Sequence, residues 1–198
     1  MTELTVDQAE KLIKERLSPQ RYQHSLGVAR VAREMAERYG ADPHRAYMAG
    51  ILHDYAKGIP AAELLKIALA NGLITDEIEK LVPDLLHARV GAYLLQHQLG
   101  IYDEALLSAV AKHTLGDLEM TVLDKIIYLA DMLEPGRDYP GLQRLQCLAE
   151  RDLNLAMQYG LDLTLRYCLE RSRLIHPLTV RVRNRFLQAL RGLDIMVE

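Results

Sequence analysis

Six side chains able to bind metal recur through the chain in the order His24, His53-Asp54, His87, His113, Asp131. Their neighbours place each on the apolar side of a helix. His24 is followed by Val28, Val31 and Met35 at i+4, i+7 and i+11, and His53 comes after Ala46, Ala49 and Gly50. His87 leads into Val90, Gly91 and Leu94; His113 follows Leu106, Ala109 and Val110; Asp131 follows Ile127 and Tyr128. Such a stripe faces a core. Burying an unpaired imidazole or carboxylate there is costly. One inward His or Asp is readily explained by a hydrogen bond or a cap. Four imidazoles and two carboxylates on separate helices are better explained by bound cations. Nitrogen and oxygen donors without thiolate suit Fe, Mn, Zn or Mg. Four imidazoles disfavour an all-Mg site. Six ligands are too many for one catalytic ion with open positions, so the set suits two ions with Asp54 between them.

The elements that must position these residues are helices. Thr5 with Gln8 forms a capping box for a helix over Val6 to Arg16. Ser18-Pro19 opens the next, which Gly40 stops. Asp42-Pro43 opens a helix to about Tyr55, and Pro60 one ended by Asn71-Gly72. A short helix follows Thr75 and stops before Pro83. Asp84 is placed as the cap of a helix ending before Gly100; Asp103 caps one to about Thr114; Thr121 caps one ending at Glu134-Pro135. Pro135 to Gly141 reads as a loop. Two or three helices fill the remainder, one over Arg151 to about Arg171 and one over Pro177 to Leu190. No segment alternates with period two, so the fold class is all-α. One domain spans 1–198, with a metal-binding core over about 18–141 and supporting helices over about 142–198.

Bulk properties narrow the function. Of 198 residues, 49% are apolar and 26% charged, which fits an ordinary globular chain. The net charge of -3 argues against a broad basic surface for nucleic acid. Cys147 and Cys168 lie in no paired motif, which suits a reducing compartment. The polar start Met1-Thr-Glu-Leu-Thr-Val-Asp is not a signal peptide, and no apolar run approaches the ~20 residues of a membrane span. A cytoplasmic setting is expected.

The ordered set His24, His53-Asp54, Asp131 resembles the HD-domain metal-dependent phosphohydrolases, and His87 with His113 resembles the version holding a binuclear centre. Longer strings resemble the YqeK-type bacterial branch. They are Arg21-Tyr-Gln-His-Ser-Leu-Gly-Val-Ala, Ala49-Gly-Ile-Leu-His-Asp-Tyr-Ala-Lys, His87-Ala-Arg-Val-Gly-Ala, His113-Thr-Leu-Gly and Asp124-Lys-Ile-Ile-Tyr-Leu-Ala-Asp-Met-Leu-Glu-Pro-Gly-Arg. Leu115 departs from that branch, where a polar or small residue is commoner. The resemblance implies an HD-type helical bundle and two metal ions, iron first with Mn, Zn or Mg as alternatives. It implies symmetrical hydrolysis of diadenosine tetraphosphate to two ADP by water held between the ions. It also implies one ion on His24, His53, Asp54 and Asp131, and the other on Asp54, His87 and His113. The other readings are a different HD phosphohydrolase (nucleotidase or phosphodiesterase) or a nucleotide-binding regulator without turnover.

Positive charge for phosphate is available in Lys57 at i+3 from Asp54, Arg21 at i-3 from His24, and Arg137 past Asp131. Each is read either as a phosphate contact or as a solvated charge. Lys57 joins Asp54 as a catalytic candidate. Ser25 and Thr114, each after a candidate His, are phosphate contacts or bonds to the preceding turn. His44, His97 and His176 are read as non-ligands, and Asp124 as a support for the site or a first-turn acid. No motif announces adenine recognition, and a homodimer is admitted.

Overall fold

Caps legible in the sequence set most helix starts in the computed structural model, which describes residues 4–192. Met1–Glu3, the first part of the start read as lacking a signal peptide, lie outside the described residues, as do 193–198 at the end of the expected domain. The described residues form eleven α-helices and a 3-10 turn, with no strand among them. They are α1 Val6–Arg16, α2 Pro19–Tyr39, α3 Pro43–Leu52, α4 Ala61–Ala70 and α5 Ile78–Leu81; then the 3-10 turn Pro83–Leu86, α6 His87–Leu99, α7 Glu104–Lys112 and α8 Val122–Leu133; and finally α9 Leu142–Ala149, α10 Leu153–Glu170 and α11 Pro177–Leu190. Thr5 and Gln8 close the expected capping box, Ser18 accepts from the Arg21 amide, Asp42 caps α3 and Asp103 caps α7. Gly40 ends α2 at φ 69°, where a side chain would be strained.

Two expectations need correction, both beside the candidate site. The helix opened by Asp42-Pro43 stops at Leu52, not near Tyr55. Beyond it the chain tightens: Tyr55 bonds Leu52, Lys57 bonds Asp54 and Ile59 bonds Ala56, each three residues back. Asp84 caps no α-helix. It sits in the 3-10 turn, and α6 starts only at His87 without a side-chain cap. The Asp84 carboxylate instead pairs with Lys57 at 2.8 Å.

The buried apolar side chains form one cluster from Ala9 in α1 to Phe186 in α11. Its tightest crossing sets the site. A Cβ on Gly50 would lie 2.6 Å from Ala29 Cα and 2.8 Å from Ala29 N, so α3 passes against the backbone of α2 there. That close approach brings the end of α3, carrying His53, beside His24 on α2. Further along, Gly160 of α10 admits Met132 and Leu129 of α8. The N-terminus of α11 is tied in by His176. Its Nδ1 accepts the Leu178 amide, and its Nε2 lies 3.2 Å from Oε1 of the buried Glu79 without hydrogen-bond geometry. Glu79 also takes Arg89 and the amides of Thr75 and Asp76. No helix among the described residues is long and apolar enough to cross a membrane.

Gly50→Ala is expected to destabilise the chain by about 1–3 kcal/mol, the usual cost of overpacking. Gly91→Ala, whose Cβ would meet neighbours only at 3.7 Å or beyond, is expected to be neutral or mildly stabilising. Thermal or denaturant unfolding of the two variants checks the contrast; equal midpoints would remove the special role of the α2–α3 crossing.

Candidate metal centre

Three of the four candidate histidines sit at helix ends. His53 caps the C-terminus of α3, His113 that of α7, and His87 opens α6. Each directs Nδ1 at the carbonyl three residues earlier: His53 at Gly50 (2.7 Å), His113 at Val110 (2.7 Å) and His87 at Asp84. His24, inside α2, directs Nδ1 at Glu134 Oε1 instead, at 3.2 Å. Every Nδ1 thus faces an acceptor, so the neutral form of each ring carries its proton there and turns the Nε2 lone pair outward.

Those four lone pairs converge. His24 Nε2 and His53 Nε2 are 3.3 Å apart, and His87 Nε2 and His113 Nε2 are 3.1 Å apart. Two acceptors at such distances repel unless a proton or a cation lies between them. Asp54, 2% exposed, stands between the pairs. Its Oδ2 lies 3.5 Å from His53 and 3.8 Å from His24, while its Oδ1 lies 3.4 Å from His87 and 3.7 Å from His113. Helical neighbours i and i+1 normally diverge; at the end of α3 the chain turns, and His53 and Asp54 both reach the centre. Asp131 Oδ1 is 3.1 Å from His24 Nε2. Ligand atoms of His24, His53 and Asp131, and of His53, Asp54 and His113, are close enough to hold a metal ion. The donors are all nitrogen and oxygen, and the chemistry of the set fits such an ion.

Burial alone would raise the Asp54 carboxyl, but the facing imidazoles, His53 foremost, hold it well below the usual carboxylate range. Asp131 is also held low against burial, by His24 first and then by the charges of His53 and Arg137. Burial disfavours a charged His53, yet the Asp54 carboxylate, Asp131 and the Gly50 carbonyl together outweigh it and raise the His53 pKa. At His113 burial dominates and lowers it.

A cavity of about 200 Å³ opens onto this cluster, lined among others by Arg21, Lys57, Thr114 and Arg137. Arg21 Nη1 lies 2.9 Å from Asp54 Oδ2, and Arg137 bonds the Asp131 carboxylate and its carbonyl. Lys57 pairs with Asp84 and lies 3.4 Å from His87 Nδ1. Thr114 Oγ1 is 3.2 Å from His87 Nε2. Ser25 is the correction among the expected substrate contacts. It is fully buried, its Oγ has no partner, and it does not line the cavity, because its face of α2 packs inward. Asp124 is buried, closes the capping box with Thr121 and pairs with Lys112, the residue before His113. It is therefore a first-turn acid that also anchors the neighbour of a site residue. His44 and His97 are exposed; His176, read as lying in a turn, is buried as the cap of α11.

Glu134 escaped the sequence reading, which took it only as a helix end. Its Oε2 accepts the Gly136 amide at 2.7 Å while Oε1 faces His24. A Cβ on Gly27 would come within 2.9 Å of Glu134 Oε2. The available signal was Gly27, one turn after His24, together with an acid followed by Pro-Gly.

The chain is similar to known proteins in sequence and in fold. The HD domain family matches residues 21–136. The chain is 40% identical over 171 residues to the symmetrical bis(5'-nucleosyl)-tetraphosphatase of Bacillus subtilis, covering 86% of this chain and 91% of the relative. A protein of the same name from Halalkalibacterium halodurans is 38% identical over 177 residues, covering 89% and 94%. A crystal structure from Clostridium acetobutylicum, described as a predicted HD superfamily hydrolase involved in NAD metabolism, superposes with a TM-score of 0.90 at 33% identity. That match covers 95% of this chain and all of the other.

Removing the Glu134 acceptor frees the His24 ring to turn and to change tautomer. Glu134→Ala is expected to weaken metal retention by about 10–100-fold, as for other groups that orient metal-bound histidines, with Gly27→Ala changing it in the same direction by less. Competition against a chelator measures this; wild-type retention in Glu134→Ala would deny the carboxylate its orienting role.

Proposed function

We propose that this chain, which belongs to the HD-domain family, is a metal-dependent hydrolase that splits dinucleoside tetraphosphates symmetrically, diadenosine tetraphosphate first among them, into two nucleoside diphosphates. The observation that carries the reading is the division of Asp54: one oxygen toward His24 and His53, the other toward His87 and His113. Such a division would let one carboxylate serve two ions. The substrate and the symmetry of cleavage draw support from the two relatives whose names carry that activity.

In this reading His24, His53, Asp54 and Asp131 would hold one ion, and Asp54, His87 and His113 the other. Iron is the first choice, with Mn, Zn or Mg as alternatives. When bound, such ions lower the pKa of an attacking water and neutralise charge on phosphoryl oxygens. The remaining work is positioning and charge balance by the chain. Each guanidinium carries five N–H donors. Arg21 and Arg137 use only some of theirs on carboxylates, so both can also grip the polyphosphate from the cavity wall. Lys57 is less than one-fifth exposed and supplies a point charge beside His87, where Thr114 offers a hydroxyl to a phosphoryl oxygen. The burial of Ser25 removes it from this set.

The chain acts as one domain over 1–198, with core 18–141 and supporting helices 142–198; the continuous apolar cluster from Ala9 to Phe186 supports this. A cytoplasmic setting fits its two unpaired cysteines.

The protein loaded anaerobically with Fe(II), and separately with Mn(II) or Mg(II), is expected to convert diadenosine tetraphosphate to ADP alone. A chelator should abolish the reaction. ATP plus AMP would refute symmetrical cleavage, turnover confined to other esters would point to a different phosphohydrolase, and binding without turnover under any ion to a regulator. Asp54→Ala is expected to reduce kcat by more than about 100-fold, beyond the range of outer-shell changes; full activity in this variant would exclude the shared carboxylate.

A further inference from the structure

Two more cavities adjoin the metal-centre cavity, and their walls differ in chemistry. One, of about 390 Å³, lies between the end of α8, the loop after it and α10. Met132, Tyr139, Pro140, Leu163 and Tyr167 give it an apolar, partly aromatic wall, and it shares Met132, Arg137 and Thr164 with the metal-centre cavity. The other, of about 590 Å³, lies between α2 and the loop after α8, and shares Arg21 and Arg137 with the metal-centre cavity. Gln20, Gln23 and Arg30 project into it from one face of α2; no Tyr, Phe or Trp lines it, and its one ring, the His24 imidazole, is turned to the metal centre and Glu134.

From this difference we propose that the enzyme holds the two equal halves of its substrate unequally. The purine nucleoside of one half sits in the aromatic cavity. The other half lies along the polar cavity and is held through its phosphates and ribose. The proposal rests on the reading of the site as a dinucleotide hydrolase.

The aromatic cavity suits a base. Its volume falls within the usual range for small-molecule sites, and its apolar walls with a few polar groups match what a flat heterocycle needs. Part of those walls is anchored. The Tyr139 hydroxyl donates to Met132 O at 2.8 Å, and Leu163 is buried. The Tyr167 ring, itself exposed, has the guanidiniums of Arg171 and Arg173 at 4.9 and 5.0 Å from its centroid. Arg166 and Glu170 at the rim offer donors and acceptors to the base edge. The continuity with Arg137 places the diphosphate of the same half against the metal centre. In the polar cavity, two amides and the Arg30 guanidinium can hold hydroxyls and phosphate, but no Tyr, Phe or Trp ring offers a base an apolar wall. After cleavage one ADP therefore stays seated while the other leaves freely.

The test compares Tyr167→Ala with Arg30→Ala; both residues are exposed, so either change is expected to spare folding. In the metal-loaded full chain, the KM for diadenosine tetraphosphate and the Kd for ADP and for pyrophosphate are measured. Tyr167→Ala is expected to weaken ADP by about tenfold, the loss of one base stack, and to raise KM. Pyrophosphate binding should stay unchanged, and Tyr167→Phe should restore the wild-type values. Arg30→Ala is expected to raise KM several-fold with ADP affinity unchanged. Unchanged ADP affinity in Tyr167→Ala, or an equal loss of pyrophosphate affinity, overturns the aromatic seat. An ADP loss in Arg30→Ala overturns the unequal division. Because ADP binding is read without turnover, a protein that fails to hydrolyse the dinucleotide yet shows the Tyr167-dependent ADP loss refutes the proposed activity while leaving the nucleoside seat in place.

Discussion

The buried Asp54 carboxylate is the constraint on which the rest of the molecule turns. An ionised carboxylate taken from water must be compensated. Here one guanidinium, Arg21, faces it directly, and four imidazoles drawn from α2, α3, α6 and α7 converge on it with nitrogens that can hold the compensating protons or cations. Each imidazole has one nitrogen committed to a fixed acceptor, so the freedom of the rings is spent on aiming the other nitrogen inward. The helices cannot drift without breaking that convergence. A centre of this kind thus orders the bundle as much as the bundle positions the centre.

Helix ends do much of this positioning. A residue in the middle of a helix shares its direction with the apolar stripe, whereas one at a terminus can turn away from it. His53, His87 and His113 use that freedom, and each borrows a backbone carbonyl three residues back as its anchor. His24 has no such carbonyl free inside α2, where carbonyls serve the helix itself. It needs a side-chain acceptor, and Glu134 supplies one across the space that Gly27 leaves open. The loop after α8 completes the arrangement, because Arg137 and Tyr139 reach back to the Asp131 and Met132 carbonyls at the end of that helix. One loop therefore closes a helix, holds Asp131 and forms the boundary between the two outer cavities.

Much of this is legible in the order of residues alone. Caps such as Thr5, Ser18, Asp42, Asp103 and Thr121 act within a few residues, so they appear in the sequence as local strings. The candidate centre is legible for a different reason: histidines and aspartates on apolar stripes are anomalies that a core does not tolerate without a partner. Asp84 shows the limit of local reading. It has the type and place of a cap, but Lys57, far away in the chain, takes its carboxylate.

The helical class, most helix starts and the choice of the six residues that converge at the centre are legible in the sequence, because they depend on residue type and short-range spacing. How those residues meet depends on contacts between distant segments. The close passage of Gly50 over Ala29, the division of the Asp54 oxygens, the Glu134 anchor on His24 and the burial of Ser25 all depend on atoms from distant parts of the chain. A shared carboxylate and an orienting carboxylate are the same kind of group in a sequence; what separates their roles is the distance to nitrogens tens of residues away.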